Sequence, residues 1–189
     1  IYSLIEDGTL ELETKAHNEP NYNGVVVIKD TVLVIDNIQM NLQLYNRRDG
    51  KLLATSHRLE SIPWGVCLIS ETEVALCMLN GTIVILSFKY IDDVKLVKTL
   101  NVMTGFNYCH SVAKLNSSDK LIVSGLKKYE YSVMLCWGVV SITDGRLSST
   151  RNICIGYSRS HLAIKDNTVY ISCRTLDSTT RGMHAYDIF

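Results

Sequence analysis

Short apolar runs separated by polar turns recur along the whole chain: "GVVVI", "TVLVID", "LQLY", "KLLATS", "GVCLIS", "EVALCML", "TIVILSF", "KLVKTL", "KLIVSG", "VMLCWGVV", "HLAIK" and "TVYISC". Some alternate apolar with polar residues and others are continuously apolar, the signatures of half-buried and fully buried strands. Val, Ile, Thr and Tyr dominate them, and their branched or aromatic side chains suit a pleated surface. No stretch of about a dozen residues sustains helical spacing with caps. The pattern predicts an all-β chain.

A period organises these strands. Gly24 opens one unit, Gly65 follows after 41 residues, Ser111 after a further 46 and His161 after a further 50. The drift has a local cause, because the third unit carries longer connections at "KKYEYS" and "RNICIGYSRS". A second landmark agrees: Asp7-Gly8 precedes Asp49-Gly50 by 42 residues, and Asp144-Gly145 follows after 95, about two periods. Each unit reads as strand, tight turn, strand, loop, strand, Asp-Gly turn, strand. Gly supplies the positive φ of the outer hairpin, and Asp bonds its own backbone. In the second unit Asp92-Asp93 replaces Asp-Gly, so a different turn is expected there. Units of about forty residues with four antiparallel strands and no helix predict a β-propeller, one domain or part of one over 1–189, with blades opening near 24, 65, 111 and 161.

The two prolines, Pro20 and Pro63, occupy the same place in this pattern, just before an opening strand. In a propeller the first strand of each blade lines the central channel. Pro63 suits a position that needs no ladder donor, and Gly65 permits close backbone approach near the crowded axis. Trp64 is then expected over the seam between blades. The segments leading into the four opening strands supply Tyr22 and Asn23, Trp64, Tyr108 and His110, and Tyr157, Arg159 and His161. Aromatic, His and Arg side chains gathered on one face are residue types that anchor interfaces, so Tyr22, Trp64, Tyr108, His110, Tyr157, Arg159 and His161 form the candidate binding site. The competing role for the aromatics is to seal blade against blade.

Composition narrows the function classes. The 189 residues are 47% hydrophobic and 20% charged, enough for a folded core, and 19 basic residues balance 19 acidic ones. The chain as a whole therefore supplies no field to draw it to DNA, RNA or anionic membranes. The longest apolar stretch, around "YSVMLCWGVVSI", is too short to span a bilayer, and no signal-peptide pattern opens the chain. It begins at Ile1 rather than Met, which reads as a fragment or an excised domain. The six cysteines show no C-x-x-C spacing and mostly fall inside apolar runs, as buried free thiols in a reducing, cytoplasmic compartment would. A turn near Thr72 would set Cys67 opposite Cys77.

The phrases "VLVIDNIQMNLQLYNRRDGKLL" and "IPWGVCLISETEVAL" resemble the C-terminal six-bladed, NHL-related propellers of tripartite-motif proteins, in particular the divergent bivalve type. Asp36-Asn37, Leu42 to Tyr45, Asp49 to Leu52 and Pro63 to Val66 match that pattern, which is sharp over residues 24 to 88 and loosens beyond. The resemblance implies a recognition module for a protein partner, the substrate-binding region of a ubiquitin ligase whose zinc-binding domains are not in these residues. It also implies a six-bladed ring, of which 189 residues at about 42 per blade supply about four to five.

Catalytic and metal motifs are missing from the sequence: there is no G-x-S-x-G, no H-E-x-x-H, no Gly-rich phosphate loop and no acidic calcium ladder. A propeller hydrolase of the lactonase kind would hold calcium through channel carboxylates, but the channel positions here are Asn23, Gly24, Gly65, Ser111 and His161. His110 and His161 lack a third ligand. The segment is expected to be no enzyme and to need no cofactor or metal. RNA is the alternative partner, because residues 110 to 189 carry a modest basic surplus and stacking aromatics. Two sequons, Asn80-Gly81-Thr82 and Asn116-Ser117-Ser118, lie at expected turns.

Overall fold

The computed structural model describes residues 2–4, 10–12, 22–56, 58–90, 93–101, 106–116, 118–130, 132–155, 157–175 and 181–187. Among them every regular element is a strand. A hairpin of β1 (Tyr2–Leu4) and β2 (Leu10–Leu12) comes first. The first blade is β3 (Tyr22–Ile28), β4 (Thr31–Asp36), β5 (Asn41–Asn46) and β6 (Leu52–Thr55). The second is β7 (Pro63–Ser70), β8 (Glu73–Met78), β9 (Thr82–Tyr90) and β10 (Asp93–Asn101). The third is β11 (Tyr108–Lys114), β12 (Lys120–Lys128), β13 (Val133–Ser141) and β14 (Leu147–Ile155). The fourth has three strands, β15 (Tyr157–Lys165), β16 (Thr168–Thr175) and β17 (Arg181–Asp187). Each blade is an antiparallel meander in sequence order, and Gly24, Gly65, Ser111 and His161 lie in the four first strands.

One hydrogen-bond frame recurs from blade to blade. At the outer hairpins the Gly50 amide donates to Asn46 O (3.0 Å) and the Asn46 amide to Lys51 O (2.8 Å), and Gly145 and Ser141 repeat both bonds with Ser141 O and Arg146 O. Both glycines take left-handed backbone, φ 67° and 69°, where a side chain would be strained. Asp49 and Asp144 each accept the amide two residues on, at 3.0 and 2.9 Å. That bond, with Ser141, holds the Asp144 carboxyl below its ordinary range. In the first three blades the third strand is pinned near its end to the first hairpin of its own blade: Arg47 N–H to Asp30 O, Phe88 N–H to Thr72 O and Ile142 N–H to Asp119 O. The Asp7-Gly8 and Asp92 turns lie outside the described residues.

Blades pack face to face, which explains the continuous apolar runs. β12 sits between two seams, so both of its faces are covered and it is buried from Leu121 to Leu126; β4 is buried at all six positions. Leu33, Ile35, Leu42 and Leu44 of the first blade meet Leu76, Met78, Val84 and Leu86 of the second. Ala75, Cys77, Ile83 and Ile85 then meet Cys109, Val112, Leu121 and Val123 of the third. Ile122, Trp137 and Val139 meet Val169 and Ile171 of the fourth. A buried bond between Ser124 Oγ and Ser160 Oγ, 2.8 Å, satisfies the hydroxyls trapped in that last seam.

Bulges shift the expected register in two places. The turn of the β7–β8 hairpin does fall at Glu71-Thr72, but irregularities between Pro63 and Gly65 and between Leu68 and Ser70 move the partners. Cys67 pairs with Ala75, and Cys77 with Gly65, so the two cysteines do not oppose each other. In β15 the irregularity lies between Tyr157 and Arg159, earlier relative to its opening residue than the one between Cys109 and Ser111 in β11.

Candidate functional site

Antiparallel order decides which residues share a rim. Each first strand begins where its blade's second strand ends, so the lead-in segments and the loops joining second to third strands occupy one face, here the upper face. The first hairpins and the Asp-Gly turns occupy the opposite face.

The structure brings together only some of the residues expected at this rim. Trp64, half-buried in β7, stands with its ring centroid 6.0 Å from that of His110 in β11, tilted by 39° across the seam between the second and third blades. His110 is 4% exposed, so it supports the Trp64 ring from below rather than facing a ligand. Tyr108, 40% exposed at the start of β11, is free to make contact. His161 is exposed, but Leu162 and Ile164 point into the third-fourth seam and alternation therefore turns His161 to the far side of the fourth blade. Ser160 takes the buried position in the seam instead. His110 and His161 are thus not a convergent pair. The side chains of Tyr22, Tyr157 and Arg159 lie outside the described residues; their backbones pair with Asp36, Thr175 and Arg174.

Two hairpin loops that the repeat pattern did not single out share the same face. In the first, Asp36 is 4% exposed and its carboxylate accepts the amides of Ile38 (3.0 Å) and Gln39 (2.9 Å) and the Gln43 side-chain amide (3.2 Å). That clasp leaves Ile38 59% exposed at the loop tip. In the second, the Tyr129 amide donates to Ser132 O and the Lys128 amide to Asn107 Oδ1, at 2.8 and 2.7 Å, and Tyr129 stands 42% exposed. The signal for both was topological: once strand order is known, any loop after a second strand belongs to this rim. Lys128 and Arg174 are exposed near it, together with Arg58, Glu60 and Glu130, a mixed set of charges rather than a basic stripe.

Among the described residues no group of three or more His, Cys, Asp or Glu could hold a metal ion, and no helix is long and apolar enough to cross a membrane. Beneath the Trp64–His110 pair lie three thiols: Cys77 and Cys109, both fully buried, and partly buried Cys67. Burial pushes Cys67 up to about 12 against an ordinary 9.0, and pushes Cys77 well above it, with the adjacent Cys109 and Cys67 thiols adding to the effect on Cys77.

No protein-family model matches the sequence, and no curated protein does. Solved structures do resemble it. The Swd1 β-propeller domain of Myceliophteria thermophila Cps50 superposes with a TM-score of 0.60 at 10% identity over 89% of this chain and 54% of that one. Kuenenia stuttgartiensis hydrazine synthase gives 0.65 at 11% identity over 89% and 47%, and BamB from Moraxella catarrhalis 0.57 at 14% over 96% and 50%. The chain thus spans about half the length of these three. A computationally designed protein, Ika4, is covered over 99% of its length, with a TM-score of 0.57 at 14% identity. At such identities the likeness speaks to fold alone, and with three four-stranded antiparallel sheets in succession it establishes a β-propeller architecture.

Proposed function

We propose that this chain is a non-catalytic propeller interaction module that recognises a protein partner through its upper face. The observation that carries the reading is the exposure of Ile38, Tyr108 and Tyr129 on the rim where Trp64 is braced by His110. Large amphipathic side chains on loops held by a rigid sheet stack give contact area at small ordering cost. The matches at Asp36-Asn37, "LQLY", the Asp49-Gly50 turn and "PWGV" support the finer reading, a substrate-recognition region of a tripartite-motif ubiquitin ligase whose catalytic domains would lie elsewhere in a longer chain. The free, buried cysteines fit a cytoplasmic setting.

The test is a quantitative capture from cell extract with cross-linking, comparing the wild-type chain with a Tyr108→Ala/Tyr129→Ala double variant. Loss of a specific protein by the variant, with unchanged Tm and weak dependence on salt, is the expected outcome. Identical protein capture by both would refute the assignment of the face. Capture of RNA with affinity falling steeply between low and moderate salt would replace the protein reading by the RNA one, to which Lys127, Lys128 and the two tyrosines lend support.

A further inference from the structure

The seam between the second and third blades is tight at Gly65. A Cβ added there would stand 2.9 Å from His110 O, 3.0 Å from Ser111 Cα and 3.5 Å from Cys77 Cβ. The missing side chain therefore lets β11 settle directly onto the β7–β8 hairpin beside Cys77. Cys77 pairs with Gly65 across that hairpin, and Cys109 precedes His110 on the strand that has moved in. Both cysteines are 0% exposed in one apolar cluster, and the neighbouring Cys109 thiol helps to push the Cys77 thiol up. Cys136 belongs to the same cluster, and Cys67, whose register partner is Ala75, packs against it.

We infer that Cys77 and Cys109 form a latent redox site, a pair of thiols placed to close into a disulfide that staples the second blade to the third beneath the Trp64–His110 pair. The reaction consumes a two-electron oxidant of the azo or disulfide class. With an azo compound, one thiol sulfur adds to the N=N bond while its proton passes to the other nitrogen. The second thiol then attacks that sulfur, the S–N bond breaks, and the nitrogen takes the second proton, leaving a hydrazine and the S–S bond. Two thiols lose two electrons and two protons, and the azo compound gains both. Both thiols are fully buried, so the closed seam keeps the oxidant out and the bond forms on brief openings of it.

The experiment uses the reduced full chain, incubated with diamide below its unfolding transition, alkylated in denaturant and digested without reductant for mass spectrometry. The expected product is a Cys77–Cys109 linked peptide lighter by two hydrogens, with Tm raised by about 5 °C or more and restored by dithiothreitol. Cys109→Ala should abolish both, while Cys67→Ala and Cys136→Ala should keep both. Because Cys109→Ala leaves a small cavity, its own reduced form is the reference for its Tm. Free Cys77 and Cys109 after oxidation, a dominant Cys67–Cys77 link, or a linked protein with unchanged or lowered Tm would each overturn the inference.

Discussion

Replacing Gly65 by Ala tests how the blades are held against one another. The added methyl would meet His110 O at 2.9 Å and Ser111 Cα at 3.0 Å, both backbone atoms of β11, so no rotamer change relieves the contact and a whole strand must retreat. At Gly24 the same methyl meets Val66 Cγ1 at 2.9 Å and Ile35 Cδ1 at 3.0 Å, side-chain methyls whose displacement does not require a strand to retreat. Neither glycine has positive φ, so alanine brings no backbone strain to either and restricts the unfolded chain, a gain of about 0.4–1 kcal/mol. Overpacking a closed interior costs about 1–3 kcal/mol. The balance predicts Gly65→Ala to be destabilised by about 1–2 kcal/mol, roughly 2–8 °C in Tm for a chain of this size, and Gly24→Ala to lose less. Gly125 marks the upper end: its Cβ would lie 2.1 Å from Tyr108 O, and Gly125→Ala should lose about 3 kcal/mol or more. Urea unfolding followed by tryptophan fluorescence, with m-values compared, reads all three. A Gly24→Ala variant as unstable as Gly65→Ala, or a neutral Gly125→Ala, would refute the picture of seams set by backbone contact.

Other predictions follow from the same packing. Trp137 is 2% exposed in the third-fourth seam, beneath the Arg151 guanidinium and 5.9 Å from the Tyr186 ring, so Trp137→Ala should cost about 3–5 kcal/mol. Its buried Nε1–H has no hydrogen-bond partner, so Trp137→Phe should cost clearly less than the alanine, measured by the same unfolding curves. Half-buried Trp64 should respond mildly, with Trp64→Ala well below Trp137→Ala in cost. Stability should also fall in alkali: Cys67 and Cys77 hold their protons in the folded state and release them near pH 9 in the unfolded one. Their contribution is whole below pH 9 and erodes as pH rises toward 12, with a slope approaching about 1.4 kcal/mol per pH unit for each thiol. Cys67→Ala should flatten that slope; an unchanged slope would count against the assignment.

The sequence was informative where a backbone demand falls on one residue type. Gly50 and Gly145 needed positive φ, and their aspartates needed an amide to bond, so the outer hairpins and the blade period could be read directly. Burial was harder to read. Both faces of a central strand are covered, so "VMLCWGVV" shows no alternation, and nothing in it distinguishes Trp137 in a seam from a tryptophan on the rim. Bulges were invisible too: the irregularity near Ser158 shifts pairing at the start of β15, and beyond it alternation with Leu162 and Ile164 puts Ser160, not His161, into the seam. The upper face was half legible. Lead-in residues followed from the repeat, but His110 proved buried, and Ile38 and Tyr129 arrive through loops whose place depends on strand order.

Three features coincide at the second seam, and this constrains which variants can test which claim. Gly65 sets the distance between β7 and β11, the pair of rings spans the same gap, and Cys77 and Cys109 lie under it. A change at Gly65 or Cys109 therefore moves stability and the Trp64–His110 geometry together, and a loss of partner binding in such a variant would not separate recognition from folding. Tyr108 and Tyr129 are different: each is two-fifths exposed, so truncating their rings removes contact area without opening a seam. The upper-face reading accordingly stands or falls on those two tyrosines. If their double variant binds the partner unchanged while Gly65→Ala does not, the contact surface lies elsewhere on the blade stack and the seam affects it only through stability.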